Sequence, residues 1–141
     1  MEIVDFVNAC RSLLEQPDVK KMYIGFNDFP HGSCNDASVL VALMLSENGF
    51  SEFDCVIGEN TSGGTHSWLQ SDYLLIDITA DQFTDTDTDT ALLLKGSRRE
   101  EHLGYRVTKT YKPKVSDLAS TCTTGLITIY HIMKSIMKLP G

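Results

Sequence analysis

The sequence predicts an α+β fold in one domain over residues 1–141, with helices packed on an antiparallel sheet. Two observations carry this prediction. Apolar residues recur at helical steps near both ends of the chain and fill one stretch between them, whereas the middle of the chain holds short strand segments bounded by turn residues. A chain of 141 residues has room for one core and is too short for two ordinary domains.

The first element is an amphipathic helix that starts at Ile3 and ends before Pro17, and it is expected to cover one side of the core. The segment from Tyr23 to Pro30 is predicted to be a loop, because glycine, asparagine, aspartate and proline interrupt it. The segment Asn35–Glu47 is predicted to be a helix that is apolar nearly all round. Such a helix belongs in the centre of the core.

Four strands are predicted next. They are Asp54–Gly58, Thr65–Gln70, Tyr73–Thr79 and Tyr105–Tyr111, the last with a half-buried alternation. The Asp/Thr repeat from Thr84 to Thr90 is expected to be a surface loop, since it has no hydrophobic anchor. A C-terminal helix is predicted from Ser116, with Ser116 as its N-cap.

The composition argues against several classes of function. A net charge of −7 makes nucleic acid an unfavourable partner, and no apolar stretch is long enough to span a membrane. Because the N-terminus does not resemble a signal peptide, a soluble cytoplasmic protein is expected, with export as an effector left open. The cationic stretch Lys95–Lys114 is predicted to be a solvated face, with docking of an acidic protein as the alternative.

The four cysteines are widely spaced and form no CxxC pair, which argues against structural zinc and disulfides; no metal or other cofactor is expected. Cys10, Cys55 and Cys122 are predicted to be small buried hydrophobic residues. Cys34 differs from them, because it lies at or near the first turn of the apolar helix, where the helix dipole and free amides lower a thiol pKa. The alternative for Cys34 is an ordinary buried cysteine.

His66 and Asp77 are predicted to face each other in a hairpin whose turn is centred on Ser71-Asp72. If Gln70 pairs with Tyr73, the same register places His66 directly opposite Asp77. The carboxylate would then fix one imidazole nitrogen and leave the other for Cys34. A purely structural pair of His66 and Asp77 is the alternative.

These residues resemble a known family. The blocks are Gly32-x-Cys34-x-Asp36-Ala37-Ser38-x-Leu40 closing with Gly49-Phe50, then His66-x-Trp68, then Asp77-x-Thr79. They are similar to the nucleophile helix and the His and Asp strands of transglutaminase-like, papain-related thiol enzymes, over the stretch from Pro30 to Ala80. The resemblance implies a buried helix carrying the nucleophile Cys34, packed on a sheet carrying the general base His66 and the orienting Asp77.

Four further residues are candidates for the oxyanion hole or for substrate contact. Asn27 is a candidate oxyanion donor or a turn residue, and His31 is a candidate substrate contact or an alternative base. Gly64 would let a substrate backbone approach or would form the entry turn of its strand. Trp68 would wall the site or would be an ordinary core residue.

The resemblance implies a thiol hydrolase that acts on amide bonds of a protein or peptide through a thioester, as a cysteine peptidase or a protein-glutamine deamidase. It also permits a bacterial or phage effector. The alternatives are transglutaminase-type transfer to an amine and a catalytically inactive binding module of the same fold. A metalloprotein using His31, Cys34 and His66 is a third class. The oligomeric state is not predicted.

Overall fold

The structure, a computed structural model, describes residues 2–23, 26, 34–72, 74–79, 92–95, 104–118 and 124–137. Its helices are α1 (Ile3–Glu15), a short α2 (Pro17–Lys20), α3 (Cys34–Glu47) and α4 (Thr124–Ile136), with a 3-10 turn at Val115–Leu118. Its strands are β1 (Asp54–Glu59), β2 (Thr65–Gln70), β3 (Leu74–Asp77), β4 (Leu92–Lys95) and β5 (Arg106–Tyr111).

The five strands form one antiparallel sheet in the order β4-β3-β2-β1-β5. The first three strands follow one another as hairpins, and β5 returns to pair with the free side of β1. Helix α3 packs on β1 and β2, which are two of the three inner strands of this sheet. The predicted α+β class is therefore confirmed.

Helix α3 is the centre of the core, as its sequence predicts. Every residue from Ala37 to Leu45 is buried, so the helix contacts protein on all sides rather than along one stripe. Helix α1 adds a second layer through its own apolar face, which includes Phe6 and Leu14. Cys10 and Cys55 are fully buried, which confirms two of the three cysteine predictions, and Cys122 lies outside the described residues.

The predicted register of the β2–β3 hairpin is wrong by two residues. Gln70 lies opposite Leu75 rather than Tyr73, because the turn closes between Ser71 and Leu74. The Ser71 amide donates to the Leu74 carbonyl at 2.9 Å, and the Leu74 amide donates to the Ser71 hydroxyl at 3.1 Å. A shift of two residues keeps every side chain on its face of the sheet, whereas a shift of one would have reversed the faces.

Two other predictions need correction. Strand β5 exists, but five of its six residues are exposed rather than half-buried alternately, because it is the outer strand beside β1. Ser116 does not cap the C-terminal helix: it lies in the 3-10 turn Val115–Leu118, and α4 begins at Thr124. The loop predicted at 84–90 lies outside the described residues, as does the Tyr23–Pro30 segment apart from Tyr23 and Phe26.

In the described part of the chain, no helix has the length and apolar character needed to cross a membrane.

Helix α4 crosses the chain after α2 at Gly125, and this crossing yields a stability prediction. A Cβ atom on Gly125 would overlap the Met22 carbonyl oxygen and would lie 3.1 Å from the Tyr23 Cα. Gly125→Ala is expected to lower the free energy of unfolding by about 1–3 kcal/mol, because this overlap outweighs the better helix propensity of alanine. Urea denaturation measures it, with Ser135→Ala on the exposed side of α4 as the control. A Gly125→Ala protein as stable as wild type would contradict the close crossing.

Candidate active site

Cys34, His66 and Asp77 come from three different elements and meet at one place. Cys34 is the first residue of α3 and is half-buried, His66 is the second residue of β2, and Asp77 is the last residue of β3. His66 Nε2 lies 2.7 Å from Asp77 Oδ2, and the Cys34 thiol is hydrogen-bonded to the same imidazole. The three predicted residues are therefore in contact, with His66 between Cys34 and Asp77.

The observed register explains how His66 reaches Asp77. Continued past Leu69 and Ile76, it places Asp77 opposite Trp68, so that Asp77 and His66 are diagonal neighbours on one face. Diagonal neighbours stand about 7–8 Å apart at their backbones, a gap that an imidazole can span. Because Nε2 bonds to Asp77, the nitrogen left for Cys34 is Nδ1.

Both oxygens of the Asp77 carboxylate have partners. Oδ2 contacts His66, while Oδ1 accepts a hydrogen bond from the Thr79 amide at 3.1 Å, with the Thr79 hydroxyl at 3.5 Å. Asp77 and Thr79 are fully buried and His66 is 1% exposed. A buried carboxylate is costly unless it is paired, so these contacts account for an aspartate between two isoleucines.

The pKa of Cys34 is shifted in the opposite direction from the pKa values of the other described cysteines. Burial would raise the pKa of the Cys34 thiol, but the hydrogen bond and charge of His66, together with hydrogen bonds from Ser67, lower it below its ordinary value. Burial raises the pKa of Cys10 to about 12, and it raises that of Cys55 to about 12 as well, because a hydrogen bond with Tyr111 does not offset it. Cys34 is thus the described cysteine whose pKa its neighbours lower, which favours the thiolate.

The pKa of the His66 imidazole shifts upwards, opposite to that of the Cys34 thiol. Burial would lower the pKa of His66, but its hydrogen bonds to Asp77 and Cys34 and their charges raise that pKa to about 9. A lowered thiol pKa beside a raised imidazole pKa favours a thiolate–imidazolium pair. The anionic Asp77 behind the ring stabilises the positive charge of that pair.

Sequence reasoning missed the residues that hold Cys34 in place. Ser67, which is 3% exposed, hydrogen-bonds to the Cys34 sulfur with both its backbone and its side chain. In the first turn of α3, the Tyr111 hydroxyl donates to Asn35 Oδ1 at 2.9 Å and the Tyr23 hydroxyl donates to Asp36 Oδ2 at 2.7 Å. Two adjacent polar residues at the start of an otherwise apolar helix, Asn35 and Asp36, are the sequence signal that could have indicated the two tyrosine contacts.

The structure describes two of the four candidates for the oxyanion hole or for substrate contact. Asn27 and His31 lie outside the described residues. Gly64 closes the β1–β2 turn: its carbonyl accepts from the Asn60 amide at 2.8 Å and its amide donates to Asn60 Oδ1 at 2.8 Å. Gly63 supplies the positive φ of +83° that this turn requires. The contacts of Gly64 are therefore those of the strand's entry turn.

Trp68 lies beneath the imidazole in the core. Its ring centroid is 5.9 Å from that of His66, but only 1% of the residue is exposed. Tyr105 flanks His66 at 5.7 Å, and Gly58 leaves room for both rings, since a Cβ there would lie 2.7 Å from Tyr105 Cβ and 3.2 Å from the Trp68 ring. Trp68 thus supports the imidazole from the core side. In the described ranges, no group of three His, Cys, Asp or Glu residues is arranged to hold a metal ion.

The lowered thiol pKa yields a prediction for alkylation. Cys34 is expected to react with iodoacetamide at pH values where an ordinary thiol is protonated, because its thiolate persists below the pKa of about 8.5 of a free cysteine. Cys10 and Cys55 are internal controls that should stay unlabelled in the folded protein. In His66→Ala the midpoint of Cys34 labelling should rise. Peptide mapping after labelling across pH measures both, and an unchanged midpoint in His66→Ala would contradict the pair.

Comparison with known proteins found no relative of this chain. No protein-family model, no curated protein and no solved structure matches the chain. The roles of Cys34, His66 and Asp77 are therefore argued from their own contacts.

Proposed function

We propose that this protein is a thiol hydrolase that cleaves amide bonds of a protein or peptide substrate, with Cys34 as nucleophile. One observation carries the proposal: a half-buried thiol at a helix start is hydrogen-bonded to an imidazole whose other nitrogen lies 2.7 Å from a buried carboxylate. Nucleophile, base and orienting group in contact are the requirement for covalent acyl transfer.

The chemistry follows from the protonation states. The Cys34 thiolate attacks the carbonyl carbon, and the oxyanion that forms is stabilised by the first-turn amides of α3, which have no acceptor within the helix. His66 gives its Nδ1 proton to the leaving nitrogen as the C–N bond breaks, leaving a thioester and a neutral imidazole. His66 then takes a proton from water as water attacks the thioester, and the departing thiolate restores the ion pair.

A purely structural role for the pair explains less. His66 and Asp77 would satisfy each other in the core without any thiol at the second nitrogen. The protein nevertheless keeps Cys34 there, held by Ser67 and only partly buried, while Cys10 and Cys55 are fully buried. The contrast among cysteines of one chain supports a reactive role for Cys34.

The arrangement also supports the resemblance to transglutaminase-like and papain-related enzymes. In that family the nucleophile starts a buried helix, and the histidine and acid follow on neighbouring antiparallel strands, as Cys34, His66 and Asp77 do. We therefore propose a core of this type and, within its chemistry, a cysteine peptidase or a protein-glutamine deamidase. Both use the same thioester and differ in the leaving amine.

Transfer of the acyl group to an amine is a second candidate, because a cleft lies beside Tyr105, whose ring contacts His66. The cleft has a volume of about 430 Å³, and its lining includes the opposite charges of Glu59 and Arg106. Leaving and acceptor amines both exchange a proton with His66, so both bind on its side of the thiol.

An activated acyl ester tests the proposal without knowledge of the natural substrate. Mixing with p-nitrophenyl acetate is expected to give a burst equal to the enzyme concentration and an acetyl group on Cys34 in the mass spectrum. Cys34→Ala should abolish the burst, and the matched variant Cys10→Ala should keep it. Asp77→Asn should slow steady-state turnover by about 100-fold or more, because the imidazole loses its orienting charge.

Two results decide whether Cys34 is the nucleophile and whether water or an amine accepts the acyl group. A burst that survives Cys34→Ala would contradict the proposal. With a primary amine present, free acid as the product supports hydrolysis, and amide as the product supports transfer.

A further inference from the structure

Arg11 is a charged residue in the apolar face of α1, and only 3% of it is exposed. Its neighbours on that face include Val7 and Leu14, which are fully buried. Removing a cation from water costs several kcal/mol unless close partners replace the water. An arginine at such a position therefore calls for a specific role.

Two partners of Arg11 in the described part of the chain lie at opposite ends of its guanidinium. Nη1 donates a hydrogen bond to the Ile78 carbonyl at 2.8 Å, across 67 residues of sequence. Nε forms an ion pair with Glu15, one turn along α1, at 2.6 Å. Glu15 is 43% exposed, so the buried guanidinium connects a residue at the protein surface with Ile78, the residue that follows Asp77.

The Ile78–Thr79 peptide unit joins Arg11 to the active site. Its carbonyl oxygen accepts from Arg11, and its amide donates to Asp77 Oδ1 at 3.1 Å. A peptide unit is planar and rigid, so an anchor on its carbonyl also fixes the direction of its N–H. The positive charge at the carbonyl polarises the same unit and strengthens the bond from its amide to the carboxylate.

The sheet holds Asp77 on one side only, through its pairing with Leu92 of β4, so the turn that follows needs a separate anchor. The β2–β3 ladder ends at the pair Leu69 and Ile76, one residue before Asp77. Beyond that pair, Thr79 holds Oδ1, and Arg11 holds the peptide unit that positions Thr79. The Oδ2 atom is thereby aimed at His66 Nε2, 2.7 Å away.

We infer that Arg11 is a positioning residue for the Cys34–His66–Asp77 site, acting through the Ile78–Thr79 peptide unit on the Asp77 carboxylate. The inference rests on the proposed function. Without the guanidinium, the Ile78 carbonyl loses its buried donor, the turn after β3 relaxes, and Asp77 no longer holds the charged imidazole beside the thiolate. A merely structural arginine would affect the stability of the fold and leave the ionisation of Cys34 unchanged.

The test measures the pH dependence of iodoacetamide labelling of Cys34 in the full-length protein. In Arg11→Met, which keeps the apolar stem, the midpoint is expected to rise, and labelling at acidic pH should fall by about tenfold, the change that one pKa unit produces. Arg11→Lys should shift the midpoint less, since one ammonium replaces the planar fork. Two controls should keep the wild-type midpoint: Glu15→Gln, which changes only the outer partner, and Leu14→Ala, which destabilises the same helix face.

The outcomes separate the inference from the proposed function. A folded Arg11→Met protein with the wild-type midpoint overturns the inference alone. If Arg11→Met does not fold, Arg11→Lys decides in the same way, because a wild-type midpoint there overturns it. A shift of equal size in Leu14→Ala also overturns it, because general loosening of α1 would then suffice. An ordinary midpoint in wild type removes the proposed function and the inference together.

Discussion

The buried hydrogen bond between His66 Nε2 and Asp77 Oδ2 is the contact on which the rest of the site depends. Both residues are essentially inaccessible to water, so neither tolerates a charge without the other. Once the carboxylate holds Nε2, the ring presents Nδ1 to Cys34, and the raised pKa of His66 beside the lowered pKa of Cys34 favours an imidazolium next to a thiolate. Nearly every unusual feature nearby, including the buried Thr79 and the rings beneath the imidazole, serves to keep this pair aligned.

Two separate supports converge on that pair. Tyr23 and Tyr111 fix the first turn of α3, and with it the sulfur, while Arg11 anchors the turn after β3, and with it the carboxylate. The histidine lies between them on an inner strand of the sheet. A geometry supported from two sides is what preorganised catalysis requires, since small displacements of a reacting group are costly in rate.

Much of this could be predicted from local pattern, and what could not be predicted depends on contacts between distant segments. The bounds of β2 and the buried character of α3 followed from periodicity, because those patterns reflect burial directly. The predicted hairpin register was wrong because the Ser71 hydroxyl closes a turn whose centre lies one residue later than expected, which shifts the pairing by two residues. The site survived because a two-residue shift of the pairing preserves the face. Arg11, Ser67 and Tyr111 were missed since no spacing rule links them to Cys34. The helix cap predicted at Ser116 failed because a 3-10 turn forms there instead.

The central claim is that His66 is a charged imidazolium paired with the Cys34 thiolate, and nuclear magnetic resonance of the labelled imidazole measures it most directly. Both ring nitrogens of His66 are expected to carry protons at neutral pH. The ring is expected to deprotonate only near pH 9, because the pKa of His66 is raised to about 9. The same ring in Asp77→Asn should lose its proton at lower pH, because the charge behind it is gone. A neutral His66 ring at pH 7 in the wild-type protein would contradict the ion pair and leave Cys34 an ordinary thiol.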